Sequence, residues 1–178
     1  MPQVAEFKAS HWRRNTIIAA ALILLIGVGT VGLVLKMRND ARTRDEANYN
    51  LSITRSDTLR AQRRYDDAIT ALSTYAAKAK DQKHKVYTLG RIGAIYEITG
   101  DYHAALKYYR QAETAGGGTK DIGVAQGIAR SSQALGDKTT AIAYYRKTIA
   151  LYQSDKSRAT ADDVANLSSI IASLEKQP

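Results

Sequence analysis

Two stretches of this chain are near copies of each other. Residues 100–110 read GDYHAALKYYR and residues 136–146 read GDKTTAIAYYR, 36 positions apart. A weaker copy, RRYDDAITALS, occupies residues 63–73 at an offset of 37, and sets Tyr65 on Tyr102, Ala68 on Ala105 and Leu72 on Tyr109. A chain that repeats itself at this period builds one supersecondary unit several times and buries a continuous core by stacking neighbours. The punctuation says which unit. Pro2 and Pro178 are the only prolines, and neither Gly nor Pro occurs between Gly32 and Gly90. Valines and isoleucines do not alternate with polar residues over any long run. The pattern predicts an all-α fold.

Within each copy, small and large residues fall where two helices would interlock. Gly93 and Ala105 are small at a close crossing, and Tyr96 and Tyr109 are large enough to fill the space beside them. Gly100 is placed to end a helix with positive φ, and Asp101 to cap the next one; Gly136-Asp137 repeats the device. In the copy beginning near Val86 the pattern is carried by Leu89, Ile92, Gly93, Tyr96, Gly100, Tyr102, Ala105, Tyr109 and Ala112. In the copy beginning near Ile122 it is carried by Ala125, Ile128, Ala129, Ser132, Gly136, Ala141 and Tyr145, with departures at Ser132 and Thr148. These residues resemble the tetratricopeptide repeat family over residues 47–155. The first copy keeps its second helix and has a degenerate first one.

The resemblance implies about three antiparallel helix pairs forming a short superhelix. Its concave surface, made by the first helix of each pair, usually holds a peptide or a partner helix. The side chains expected to line that surface are Asn50, Asp57, Arg60, Tyr87, Arg91, Ala94, Glu97, Gln126, Arg130 and Gln133. Some family members hold a chaperone's C-terminal carboxylate with a Lys/Asn clamp. Here those positions carry Ile53/Asp57, Gly90/Ala94 and Gln126/Arg130, so that specificity is not carried over. Arg91 and Arg130 either pair with an acidic partner or serve as solubilising charges. The segment Ala161 to Leu174 sets Val164, Leu167, Ile171 and Leu174 on one face and reads as a capping helix, with Asp162 and Asp163 in its first turn.

Residues Thr16 to Leu35, TIIAAALILLIGVGTVGLVL, carry no charge. At 1.5 Å per residue a helix of this length spans about 30 Å, the thickness of a bilayer's hydrocarbon core. Trp12, Arg13 and Arg14 before it and Lys36 and Arg38 after it suit an uncleaved anchor rather than a secretory signal. The expected organisation is a tail over 1–15, a transmembrane helix over 16–36, a helical linker over 37–46, repeats over 47–155 and a cap and tail over 156–178. The implied localisation is a single-pass membrane protein in contact with the lipid bilayer through residues 16–35. The short tail and the basic pair favour an extracytoplasmic repeat domain. The chain has no cysteine, which excludes disulfides and thiol chemistry.

Chemical motifs are weak. Gly27-Val28-Gly29-Thr30-Val31-Gly32 matches G-x-G-x-x-G but lies inside the apolar run, not between a strand and a helix. Gly116-Gly117-Gly118 reads as a linker. His11, His84 and His103 lack metal-ligand spacing. Asp66-Asp67 and Asp162-Asp163 point about 100° apart on a helix and read as caps. The formal net charge is +9, densest in KAKDQKHK from Lys78 to Lys85, but no nucleic-acid motif accompanies it. The expectation is therefore a non-catalytic protein with no cofactor or metal and no small-molecule or nucleic-acid partner. It would be a tethered scaffold or adaptor for a protein or peptide in envelope assembly or quality control, or alternatively a structural subunit of a larger membrane-associated complex.

Overall fold

The computed structural model describes residues 3–116, 118, 120–154 and 160–176; of residues 3–26, 28 and 29 it describes the helical backbone alone. Expectations resting on the side chains of His11, Trp12, Arg13 and Arg14, on Gly117, or on residues 156–159 and 177–178 lie outside the described residues. The chain divides into two compact units, residues 1–44 and 45–178. Among the described residues there are seven helices: α1 (Gln3–Ala61), α2 (Tyr65–Ala76), α3 (Gln82–Thr99), α4 (Tyr102–Ala115), α5 (Ile122–Ala134), α6 (Lys138–Ser154) and α7 (Ala161–Lys176). The all-α expectation holds.

In the first unit, the expected transmembrane helix over 16–36 is corrected, and with it the single-pass localisation. Among the described residues no helix is long and apolar enough to cross a membrane. Of the uncharged run, the described side chains are Gly27 and residues 30–35. Residues 30–35 rise about 9 Å along a helix, against about 30 Å of hydrocarbon. Lys36, Arg38 and Asp40 follow on the same helix. Val31, Leu33, Val34, Leu35 and Met37 are exposed.

In the second unit, α2 packs on α3, α3 on α4, α4 on α5, α5 on α6 and α6 on α7, and α3 also meets α5. Residues 45–61 of α1, with α3 and α5, are the first helices of three pairs; α2, α4 and α6 are the second. The corners within the pairs share one geometry. Gly100 and Gly136 take φ of 81° and 79°. The Gly100 amide donates to the Glu97 carbonyl and the Asp101 amide to the Tyr96 carbonyl; Gly136 and Asp137 donate to Gln133 and Ser132 in the same way. Asp101 then accepts from the Ala104 amide and Asp137 from the Thr140 amide, which satisfies donors that a helix start leaves open. The first corner repeats the bonds, Arg63 to Arg60 and Arg64 to Leu59, although Arg63 is not a glycine and sits at φ 58°.

The core is continuous from Leu59 to Ile128. Leu72, Ile92 and Ile128 are fully buried, each worth roughly 1.5–3 kcal/mol. Tyr109 is the large knob that the spacing predicts. Its ring lies over Gly93 of α3, and also over Gly127 of α5. A Cβ added at Gly93 would stand 3.0 Å from the ring, and one at Gly127 only 2.2 Å. At the far end Leu167, Ile171 and Leu174 of α7 are buried with Ala141 and Tyr145. There Thr160 and Asp163 bond reciprocally, amide to side chain, at the start of α7.

Candidate binding face

The first helices present one face, and its polar side chains bond from one pair to the next. Arg91 of α3 pairs with Asp57 of α1. Arg130 of α5 grips Glu97 of α3 with two hydrogen bonds, at 2.8 and 3.2 Å. The spacings, 34 and 33 positions, join the same side of successive pairs. Glu97 also accepts from the Tyr109 hydroxyl at 2.8 Å and from Ser131 at 3.3 Å. Burial disfavours the Arg130 charge, but Glu97 more than restores it, so its guanidinium is held above the usual range. Burial first, and Glu97 second, push the Tyr109 hydroxyl up.

The ten expected residues divide as follows. Asp57, Arg60 and Arg91 cluster, since Asp57 accepts from both cations. Arg91 also donates to the Tyr87 hydroxyl at 3.3 Å and lies 5.8 Å from the centre of its ring. Asn50 is exposed and donates to Glu46. Gln126 donates to Tyr152, and Gln133 accepts from Tyr145 at 2.7 Å. Ala94, Glu97, Arg130 and Gln133 meet at an open depression of about 580 Å³ between α3 and α5, completed by Ile98, Tyr102 and Ala134. Arg91 and Arg130 thus have a use that neither sequence reading contained: they fasten one pair to the next.

A second group on this face was missed. Tyr49 of α1 stacks on His84 of α3 at 3.9 Å between ring centres and 3° between planes. Tyr75 and Tyr87 flank it at 5.7 and 6.2 Å. Asp45, buried, accepts from the Tyr75 hydroxyl and from the Lys80 and Asp81 amides, all at 3.2–3.3 Å. Burial, with Asp45 adding to it, raises the Tyr75 hydroxyl. The His84 ring nitrogens lie 3.9 Å from Asp45 and 3.5 Å from Glu46. No local pattern links these residues, because Asp45 precedes the repeats and Tyr49 lies in the degenerate first helix of the first copy. Ile98 could have been found one turn beyond Ala94, as an apolar residue on a face otherwise read as polar.

Residues 86–115 match the tetratricopeptide repeat family. None of the curated proteins compared with the chain matches it. Among solved structures the chain is similar to PcrH in complex with the chaperone binding region of PopD, at 16% identity and a TM-score of 0.60, over 73% of this chain and 92% of that one. It is also similar to PcrH from Pseudomonas aeruginosa, at 17% identity and a TM-score of 0.55, over 74% and 91%. At such identity the likeness is one of fold. Residues 86–115 thus match one tetratricopeptide repeat, and the paired helices with the shared Gly100 and Gly136 corners carry the same fold on either side of it.

Proposed function

We propose that residues 47–155 act as a protein-binding adaptor whose first-helix face holds a peptide segment or a partner helix. One observation carries this reading. Beside the satisfied Glu97–Arg130 pair, Ile98 leaves 52% of its surface open at the rim of the depression. A large apolar side chain exposed among polar groups that already have partners is the make-up of an interface core with a polar rim. Tyr87 adds an exposed aromatic, oriented by Arg91, and aromatic anchors dominate binding energy at interfaces. Because Arg91 and Arg130 are engaged inside the fold, recognition rests on apolar and hydrogen-bonding contacts rather than on capture of an acidic tail. The PcrH complex, similar in fold, supports the reading by analogy.

The test is direct. The full chain is offered an array of random 15-residue peptides, and those retained are measured again against Ile98→Glu and Tyr87→Ala. Each substitution should weaken binding by about tenfold, the order of one hot-spot contact. Ser173→Glu, on the exposed side of α7, should change nothing. No retained peptide, or affinities indifferent to both substitutions, removes this face as the binding surface.

A further inference from the structure

Repeated helices create repeated slots, and two equivalent slots on the opposite face differ. Between α4 and α6 the slot is closed by side chains. Glu113 accepts from Lys147 at 2.8 Å, from the Tyr144 hydroxyl at 2.8 Å and from Arg110 at 3.1 Å. Arg110 also donates to Tyr144, and both cations lie over its ring, at 4.7 and 5.1 Å from the centre. One carboxylate gathers a phenol and two cations.

Between α2 and α4, the repeat offsets set Ser73 where α4 has Arg110, and Ala76 where it has Glu113. Tyr108 and Gln111 stand where α6 has Tyr144 and Lys147. All four line an open groove of about 660 Å³ with Leu89 and Ile92 of α3 in its wall. Small residues on α2 leave open the space that Arg110 and Glu113 occupy one pair later. The missing piece is the acid. Among the described residues Lys85 and Arg110 line the groove and no carboxylate does. Arg110 is engaged in the neighbouring slot, whereas half-buried Lys85 has no carboxylate within ion-pair distance among the described residues. The Tyr108 hydroxyl likewise has no hydrogen-bond partner among them. Lys78, next to the lining residue Ala77, adds further positive charge.

We propose that this groove is a second docking site, for an amphipathic helical segment of a partner protein that sets apolar side chains against Leu89 and Tyr108 and a carboxylate on Lys85. The guest's acid does for this slot what Glu113 does for the next. An open groove suits a helix laid into it, as an enclosed cavity would suit a small molecule. The site lies on the second-helix face and does not depend on the adaptor reading above.

The experiment selects from a displayed library of amphipathic helical peptides against the full chain, then maps the winners by amide chemical shifts. Enriched peptides should carry an acid beside two apolar positions and shift the amides of Ser73, Lys85 and Gln111. Lys85→Glu should weaken them about tenfold, the order of one charged hydrogen bond, and a peptide with Lys in place of the acid should recover the loss. Grafting the closed slot with Ser73→Arg and Ala76→Glu should abolish binding. If no peptide is enriched, if the winners lack an acid, if they shift amides around Ile98 instead, or if the charge exchange brings no recovery, the proposal is overturned. Since Ile98→Glu leaves this groove untouched, loss of either face is read separately from the other.

Discussion

The middle and last helix pairs carry the same tyrosine at the same step and use it differently. Tyr109 is wedged between two glycines on two helices, and its hydroxyl donates to a carboxylate that also holds Arg130 and Ser131 of the next pair. Tyr145 donates to Gln133, a neutral amide, and beyond it lie the leucines and isoleucine of α7. Where the neighbour is another repeat, the junction is specified by shape and by charge. Where the neighbour is α7, apolar burial dominates, and the Arg146–Glu175 pair at 2.7 Å lies exposed at its edge. The first pair is simpler again: Leu72 replaces the tyrosine and Arg60, a cation, stands where its acceptor would be.

The strongest attack on this contrast is Gly127→Ala. Its Cβ would meet the Tyr109 ring at 2.2 Å, and overpacking of this kind costs about 1–3 kcal/mol or more, against a gain of about 1 kcal/mol in helix propensity. We expect a net loss of about 2 kcal/mol in urea unfolding. In a Tyr109→Leu background, which copies the first pair, the same substitution should become neutral or stabilising. A loss that persists there would show that the ring is not the obstacle.

Next come the hydroxyls. Tyr109→Phe removes a bond to a charged acceptor and should cost about 1.5–3 kcal/mol, whereas Tyr145→Phe removes a neutral one and should cost about 1 kcal/mol. Equal losses would erase the distinction between the two junctions.

A smaller effect, of opposite sign, belongs to the first corner. Arg63 adopts positive φ, which costs a residue with a Cβ roughly 1–2 kcal/mol. Arg63→Gly should raise stability by about 0.5–1 kcal/mol after the unfolded chain's gain in freedom is set against it. The same change at an exposed helical position such as Arg55 should lower it.

Last is the acid response of the α4–α6 slot. Burial works to raise the Glu113 carboxyl, but hydrogen bonds from Lys147, Tyr144 and Arg110 outweigh it and hold it below its usual value. A group with a depressed folded pKa contributes stability above its unfolded pKa, and that contribution is lost as pH falls through the folded one. Glu113→Gln should therefore flatten the fall in melting temperature below about pH 4.5, near the ordinary glutamate value. An unchanged acid limb would deny Glu113 that role.

What could be read in advance were the features that a backbone demands locally. Gly100 and Gly136 declare positive φ, Asp101 and Asp137 declare helix starts, and Gly93 with Tyr109 declares a close crossing. What could not be read were features that depend on how one pair is set against the next. Gly127 looks like an ordinary helical glycine until α4 is laid against α5. Asp57–Arg91 and Glu97–Arg130 are mixed surface charges until the pairs are stacked. Arg63 hides a corner that neighbouring contacts impose without a glycine. The candidate face was read as a set of positions, and the partners that Arg91 and Arg130 take within the fold stayed out of sight because they sit 34 and 33 residues away. The uncharged run near the N-terminus was overread: its composition predicted a membrane span that no described helix supports.

The ladder of bonds between neighbouring pairs has a kinetic corollary. Among the described residues, no side-chain hydrogen bond spans more than 36 positions. Closing loops of that size carries an entropy that grows only slowly with length, and chains built from such short-range links fold fast for their size. Ordering can therefore nucleate on α3 and α4 and zip outward in both directions. Cutting the Glu97–Arg130 rung would therefore loosen the outer arm first, while the apolar core from Leu59 to Ile128 still joins the pairs.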